Sequence, residues 1–383
     1  MNDSQKVLLK LIIKSQFGSV DNFFTGNNID WDSVYEEAVQ QSVEGLVVHE
    51  IPENIFNSDG KWKHIKDNHN AYSIRYYYAE ADLIKMLEKA EIPFVILKGT
   101  AAAIYYRYPL RRAMGDIDFL VPEDFYFKTR DLLIDNGYAV GHQNERNIEF
   151  IKNTFSFELH HHFSHEDLDI EKYLITGMKQ CELTKIASVE FPILPKLPNG
   201  LVLLDHMRNH LQSGLGLRQI VDWMMYVNRE LNDKFWYDEF LAVVDSLRLT
   251  KFAKVTTRMC QLYLGLPDTI SWCKDADEDL CRELIELLFV SGNFGRKTGK
   301  GITVDSVRSQ IKKHGLFKWL QYAGENTWNA YNKHHWLKPF CWIYQIFRYA
   351  RLVLKFDRSY SQLSDDINRS NNRNDLLKEL EIY

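Results

Sequence analysis

The stretch GDIDFLV, residues 115–121, sets Asp116 and Asp118 one residue apart at the head of an apolar run, where two like charges repel unless something compensates them. Upstream, FVILKGTAAAIYY (94–106) passes from apolar residues through Lys98, Gly99 and Thr100 into helix formers, the order of a strand, a turn and a helix. The two stretches together read as strand, Gly-Thr turn, helix, and a second strand carrying Asp-x-Asp. In a strand, residues i and i+2 face the same way, so the pattern predicts that Asp116 and Asp118 project together while Ile117 points to the other face. A divalent ion resolves the repulsion, because Mg²⁺ takes hard oxygen ligands from a few carboxylates plus substrate phosphates. Two solvated acids at a strand end are the plain alternative. The glycine lets backbone N–H groups approach a phosphate, and an ordinary tight turn is its plain counterpart.

Working outward, residues 1–75 read as a helical arm: WDSVYEEAVQQSVEGLVVHEI carries apolar residues at helical spacing behind early acids. The core spans 76–198. Within it, YYYAEADLIKMLEKAEI continues as an amphipathic helix that Pro93 breaks ahead of the first strand. PEDFYFKTRDLLIDNGY opens on Pro122 with two acids and closes at Asn136-Gly137, which predicts a helix. IEFIKNTFSFELHHHF (148–163) alternates and is rich in aromatics, which predicts a hairpin or two paired strands. Beyond the proline-marked FPILPKLPNG, helical spacing takes over, so 199–383 is expected to form an all-helical C-terminal domain.

Composition narrows the classes. Apolar residues make up 45% and charged residues 26% of the 383-residue chain, the balance of a globular protein with room for more than one core. A formal charge of −5 argues against a dedicated nucleic-acid binder. No uncharged apolar run is long enough to predict a transmembrane segment. The five cysteines are odd in number and lack CxxC spacing, so a reducing cytoplasm is the expected location.

With these residues in place, the sequence resembles the polymerase-beta-like nucleotidyltransferase superfamily, whose signature is a Gly-Gly/Ser turn, a helix and an Asp-x-Asp/Glu strand. ILKGTAAAIYYRYPLRRAMGDIDFLV is similar to a bacterial branch of nucleotidyltransferases. ELHHHF and LLDHMRNHLQSGLGLRQIVDW resemble further elements of that branch. The resemblance implies an α+β fold: a nucleotidyltransferase core of mixed β-sheet with flanking helices, N-terminal helices and a C-terminal helical domain. It implies that Asp116, Asp118 and Glu158 hold two Mg²⁺ ions, and that Glu158 helps activate an acceptor hydroxyl. Lys98, Gly99, Thr100, Arg112, His160, His210 and Arg218 then bind the nucleotide. The implied reaction moves an NMP from an NTP to a protein, sugar or small-molecule acceptor and releases pyrophosphate. Thr100 stands where the superfamily usually has Ser or Gly, and the spacer from Ala101 to Gly115 is rather long.

Rival readings remain. Alternation places Glu158, His160 and His162 on one strand face, so these three are the most that HHH could offer zinc, and no HExxH or Cys partner accompanies them. SGNFGRKTGKGIT (291–303) fails the phosphate-loop spacing and reads as a basic loop. Arg218 and Asp222, spaced i, i+4, are expected to form an ion pair, as His206 and His210 are expected to share a helix face. The alternative function is a non-catalytic module on the same fold, acting as a regulator or antitoxin-like partner of another protein.

Overall fold

The computed structural model describes residues 1–18, 29–58, 60–164, 168–293, 315–328, 330–331, 334–355 and 375–382. Its centre is a seven-stranded mixed sheet. In chain order the strands are β1 (Val95–Leu97), β2 (Ile117–Leu120), β3 (Ala139–Gln143), β4 (Asn147–Lys152), β5 (Phe155–His160), β6 (Glu182–Ile186) and β7 (Val189–Ile193). They lie side by side as β3-β4-β5-β2-β1-β7-β6. β2 runs antiparallel to β1 and parallel to β5, and β1 runs parallel to β7.

The predicted hairpin forms: β4 and β5 pair antiparallel around Asn153 and Thr154, both at positive φ, the backbone of the primed turns that match strand twist. The predicted helix after Pro122 runs over Glu123–Asp135. Sequence reading passed over the β6–β7 hairpin, because its strands are short and Pro192 interrupts the second one. The proline is tolerated because β7 pairs with β1 only at Ile96↔Ile193, so few ladder donors are needed there.

A continuous 30-residue helix, Gly60–Lys89, lies against the sheet and carries its chain through residue 75, where the arm was expected to end. Its Tyr76, Tyr77, Leu83, Ile84 and Leu87 join Phe119, Phe150 and Phe157 of the strands in one buried cluster. Each such side chain contributes roughly 1.5–3 kcal/mol on burial, which fixes the helix and hence the turn that follows it.

The described chain divides into two compact units. The first, Met1–Lys297 with Leu380–Tyr383, holds the sheet and continues past 198 into the helices Lys196–Ser213 and Leu217–Arg229. Those two helices approach closely at Gly200, where an added Cβ would stand 2.3 Å from the Tyr226 hydroxyl oxygen. The second unit, Thr298–Glu379, contains Leu316–Thr327 and Cys341–Lys355. There the Thr327 hydroxyl donates to Gln345 Oε1 at 2.9 Å and Trp328 stacks on Tyr344. The basic stretch from 294 to 303 lies outside the described residues. No helix among the described residues is long and apolar enough to cross a membrane.

Candidate active site

The sheet order brings the separated acids together. β2 and β5 run parallel with Asp118 opposite Glu158, and Asp116 sits one residue before β2 begins. Across the antiparallel β1–β2 pair, Leu97 is the partner of Asp118, which delivers the next residue, Lys98, to the same spot. Lys98 has φ 47° and ψ −117°, a conformation that non-glycine residues rarely hold and that clusters at functional sites. Its ammonium lies 2.7 Å from Asp118 Oδ1 and over the ring of Phe163.

His160 closes the cluster. Its Nε2 lies 3.1 Å from Asp118 Oδ1 and 3.2 Å from Glu158 Oε2, so one N–H faces two carboxylates. Burial disfavours the imidazolium, but the hydrogen bonds to Asp118 and Glu158 outweigh it and raise the His160 pKa. Burial likewise pushes against a charged Asp118, and Lys98 and His160 more than offset it, holding that carboxyl below the usual aspartate range. For Lys98, burial is overcome by Asp118, Glu158 and Asp116, and its pKa rises. Asp116 is the uneasy member: burial first, then Asp118 and Glu158, push its pKa up to about 6. Asp116 is nevertheless exposed to solvent, which moderates that push.

The donors suit a hard dication. One ligand atom each from Asp118, Glu158 and His160 lies within 4.8 Å of the others, and Asp116 adds a further carboxylate whose pKa is raised by burial and then by its acidic neighbours. Oxygen-rich sets of this kind favour Mg²⁺ or Mn²⁺.

The remaining candidates divide. Gly99 packs under Tyr76: an added Cβ would stand 3.0 Å from the tyrosine oxygen, and that hydroxyl donates to the Asp116 carbonyl at 3.3 Å. The Thr100 side chain is fully buried and donates to Glu80 Oε2 at 2.9 Å, so its hydroxyl is committed to the core. Arg112 is not presented to the acids. Its Nε and Nη2 each lie 2.7 Å from a different oxygen of Asp222, both residues are buried, and Tyr106 donates to the same carboxylate at 2.7 Å. The sequence paired Asp222 with Arg218, its neighbour one helical turn away, and the Asp222 charge does act on Arg218; the chain also brings Arg112 across to form the planar fork that a guanidinium makes best. Arg111 is held by Glu50 at 3.0 Å and lies over the Tyr108 ring.

Arg218 reaches the site from the helical side. Its Nη1 lies 3.5 Å from the Ala113 carbonyl, and its charge helps lower the Asp116 pKa against burial. His210 Nε2 lies 2.9 Å from His206 Nε2. Burial first, then His210, Lys98 and Arg218, hold the His206 pKa well below its ordinary value, so His206 lies within reach of the cations that flank the acids. His162 departs from the expected alternation. β5 ends at His160, and beyond it His161 and His162 lie against one another with ring centroids 4.5 Å apart.

Sequence reasoning missed Tyr76 and Glu80. The signal was present: the two fall at i, i+4, one stripe of the long helix.

A family model described as "Uncharacterised nucleotidyltransferase" matches residues 27–265, more than half of the chain and all three acids. Among solved structures, the chain is similar to an antigenic nucleotidyltransferase-like protein from Paracoccidioides brasiliensis, at 12% identity over 50% of this chain and 92% of that chain, with a TM-score of 0.31. No curated protein matches the sequence.

Proposed function

Because the chain belongs to the uncharacterised nucleotidyltransferase family, we propose that its acid cluster transfers an NMP from an NTP to an acceptor hydroxyl with Mg²⁺ bound. Asp116, Asp118 and Glu158 would hold the ions. When bound, they supply neutralisation of the triphosphate and of the charge that develops on the transferring phosphorus. The acceptor oxygen bonds to the α-phosphorus, the bond to the bridging oxygen of the β-phosphate breaks, and pyrophosphate leaves with that oxygen. Glu158, the acid with solvent access beside the buried Asp118, takes the acceptor proton. Lys98, released from Asp118, turns to the triphosphate, and Arg218 faces the same region. The backbone amides of the Gly99 turn would meet the phosphates, while Thr100 anchors that turn from below through Glu80.

The observation that carries this reading is the level placement of Asp118 and Glu158 on adjacent parallel strands, with Asp116 preceding and Lys98 within ion-pair distance. The acceptor is a protein, a sugar or another small molecule, and the free cysteines favour a reducing cytoplasm. The test is a radiolabelled-NTP transfer screen with titration calorimetry for NTP and Mg²⁺. Asp118→Ala should abolish both signals, and an unchanged Asp118→Ala protein would end the proposal.

One observation favours the second reading, a non-catalytic partner module: Lys98 and His160 already satisfy Asp118 without a ligand. In that case a copurifying protein would be neutralised equally by wild type and by an Asp116→Asn, Asp118→Asn variant.

A further inference from the structure

We propose that Glu123, His161 and His162 form a second divalent-metal site, separate from the acid cluster and suited to Zn²⁺. One ligand atom from each of the three lies within 4.8 Å of the other two. Two imidazoles and one carboxylate are a common zinc donor set with a fourth position left open.

The ring nitrogens supply the second, independent observation. The Nδ1 atoms of both His161 and His162 are buried with no hydrogen-bond partner among the described residues, a cost that a folded protein seldom leaves uncompensated. His161 Nε2 lies 3.0 Å from the Glu145 carbonyl. A carbonyl can only accept, so Nε2 carries the hydrogen and Nδ1 presents a lone pair. Donating the far N–H to a backbone carbonyl is the usual outer-shell arrangement of a ligating histidine.

One group sits on a helix and the other two directly follow a strand. Glu123 is the first residue of the helix Glu123–Asp135. The His161 ring packs against Tyr126 of that helix, with ring centroids 4.0 Å apart and planes tilted by 34°. The backbone beyond the histidines is pinned by Glu171, which accepts from the amides of Phe163 and Ser164 at 2.6 and 2.8 Å. All three donors line a cavity of about 660 Å³. Its walls include Phe94, before β1, and Val121, after β2, so it opens at the strand ends opposite Asp116 and Lys98. The open coordination position therefore faces a largely apolar cavity, where an exchangeable ligand has room.

This inference does not depend on the acid cluster being catalytic. The full-length protein carrying Asp118→Asn, which weakens the other site, is titrated with Zn²⁺ by calorimetry, and Co²⁺ is used as a visible-absorption probe of the coordination. One equivalent should bind, with the intense visible bands of a four-coordinate cobalt centre. Glu123→Gln, at an exposed position, and His162→Ala should each weaken binding by at least about tenfold, with metal-free melting curves confirming that both variants fold. Absence of a stoichiometric equivalent, or unchanged affinity in a folded Glu123→Gln protein, overturns the proposal.

Discussion

The ammonium of Lys98 lies 2.7 Å from Asp118 Oδ1, so the site holds a built-in cation where a metal ion would compete for the same carboxylate. Lys98→Met should destabilise the metal-free protein by about 3 kcal/mol, because it strands a buried charge. Mn²⁺ should restore more of the melting temperature in the variant than in wild type, while transfer activity falls. Equal Mn²⁺-induced shifts in the two proteins would mean that Lys98 and the metal do not compete.

Glu80 gives a pH signature. Burial pushes its carboxyl from 4.5 up to about 8, and the Thr100 hydroxyl offsets only part of that. A carboxyl that is harder to ionise when folded destabilises the fold. The cost builds as pH climbs past the unfolded value and levels off above the folded one. Glu80→Gln should therefore match wild type near pH 4 and exceed it by a few kcal/mol near pH 8, read from urea unfolding at both ends. A gain independent of pH would contradict the buried-acid explanation.

The Arg112–Asp222 fork predicts a stability effect rather than a catalytic one. Arg112→Met should cost about 3–5 kcal/mol by leaving Asp222 buried and unneutralised, and Arg112→Met with Asp222→Leu should recover most of it. Chemical denaturation measures both. If Arg112→Met instead unfolds like wild type yet loses turnover, the guanidinium serves the substrate after all.

Gly99 and Tyr76 are predicted to be coupled. Gly99→Ala places a methyl against the tyrosine hydroxyl that supports the Asp116 carbonyl, an overpacking worth roughly 1–3 kcal/mol. Removing that oxygen in Gly99→Ala, Tyr76→Phe should restore stability and Mg²⁺ affinity together. Additive losses in the double variant would show that the clash lies elsewhere.

The strands that carry the acids, the hairpin and the helix after Pro122 were legible because each rests on local signals: alternation, turn residues and capping. The third acid was legible through the same alternation, since β5 keeps Phe157 and Leu159 in the core and Glu158 among the other acids. What was not legible depends on partners far apart in the chain. Nothing near Arg112 announces that Asp222, 110 positions away, will claim it. Nothing near Thr100 announces Glu80, whose neighbours read as an ordinary amphipathic helix. His162 was misplaced because alternation was extended two residues past the end of the strand. The β6–β7 hairpin was obscured by a proline that the ladder happens not to need.

The pairing of β2 with β5 has an evolutionary consequence. A slip of one residue would carry Glu158 into the aromatic core and turn Phe157 out to water, so the oil-like side of the strand works as a gauge for the spacing of the acids. Substitutions on the surface and in the loops leave this pairing untouched. A drift of a single rung at this seam would undo both the interior and the clustering of the acids in the same step.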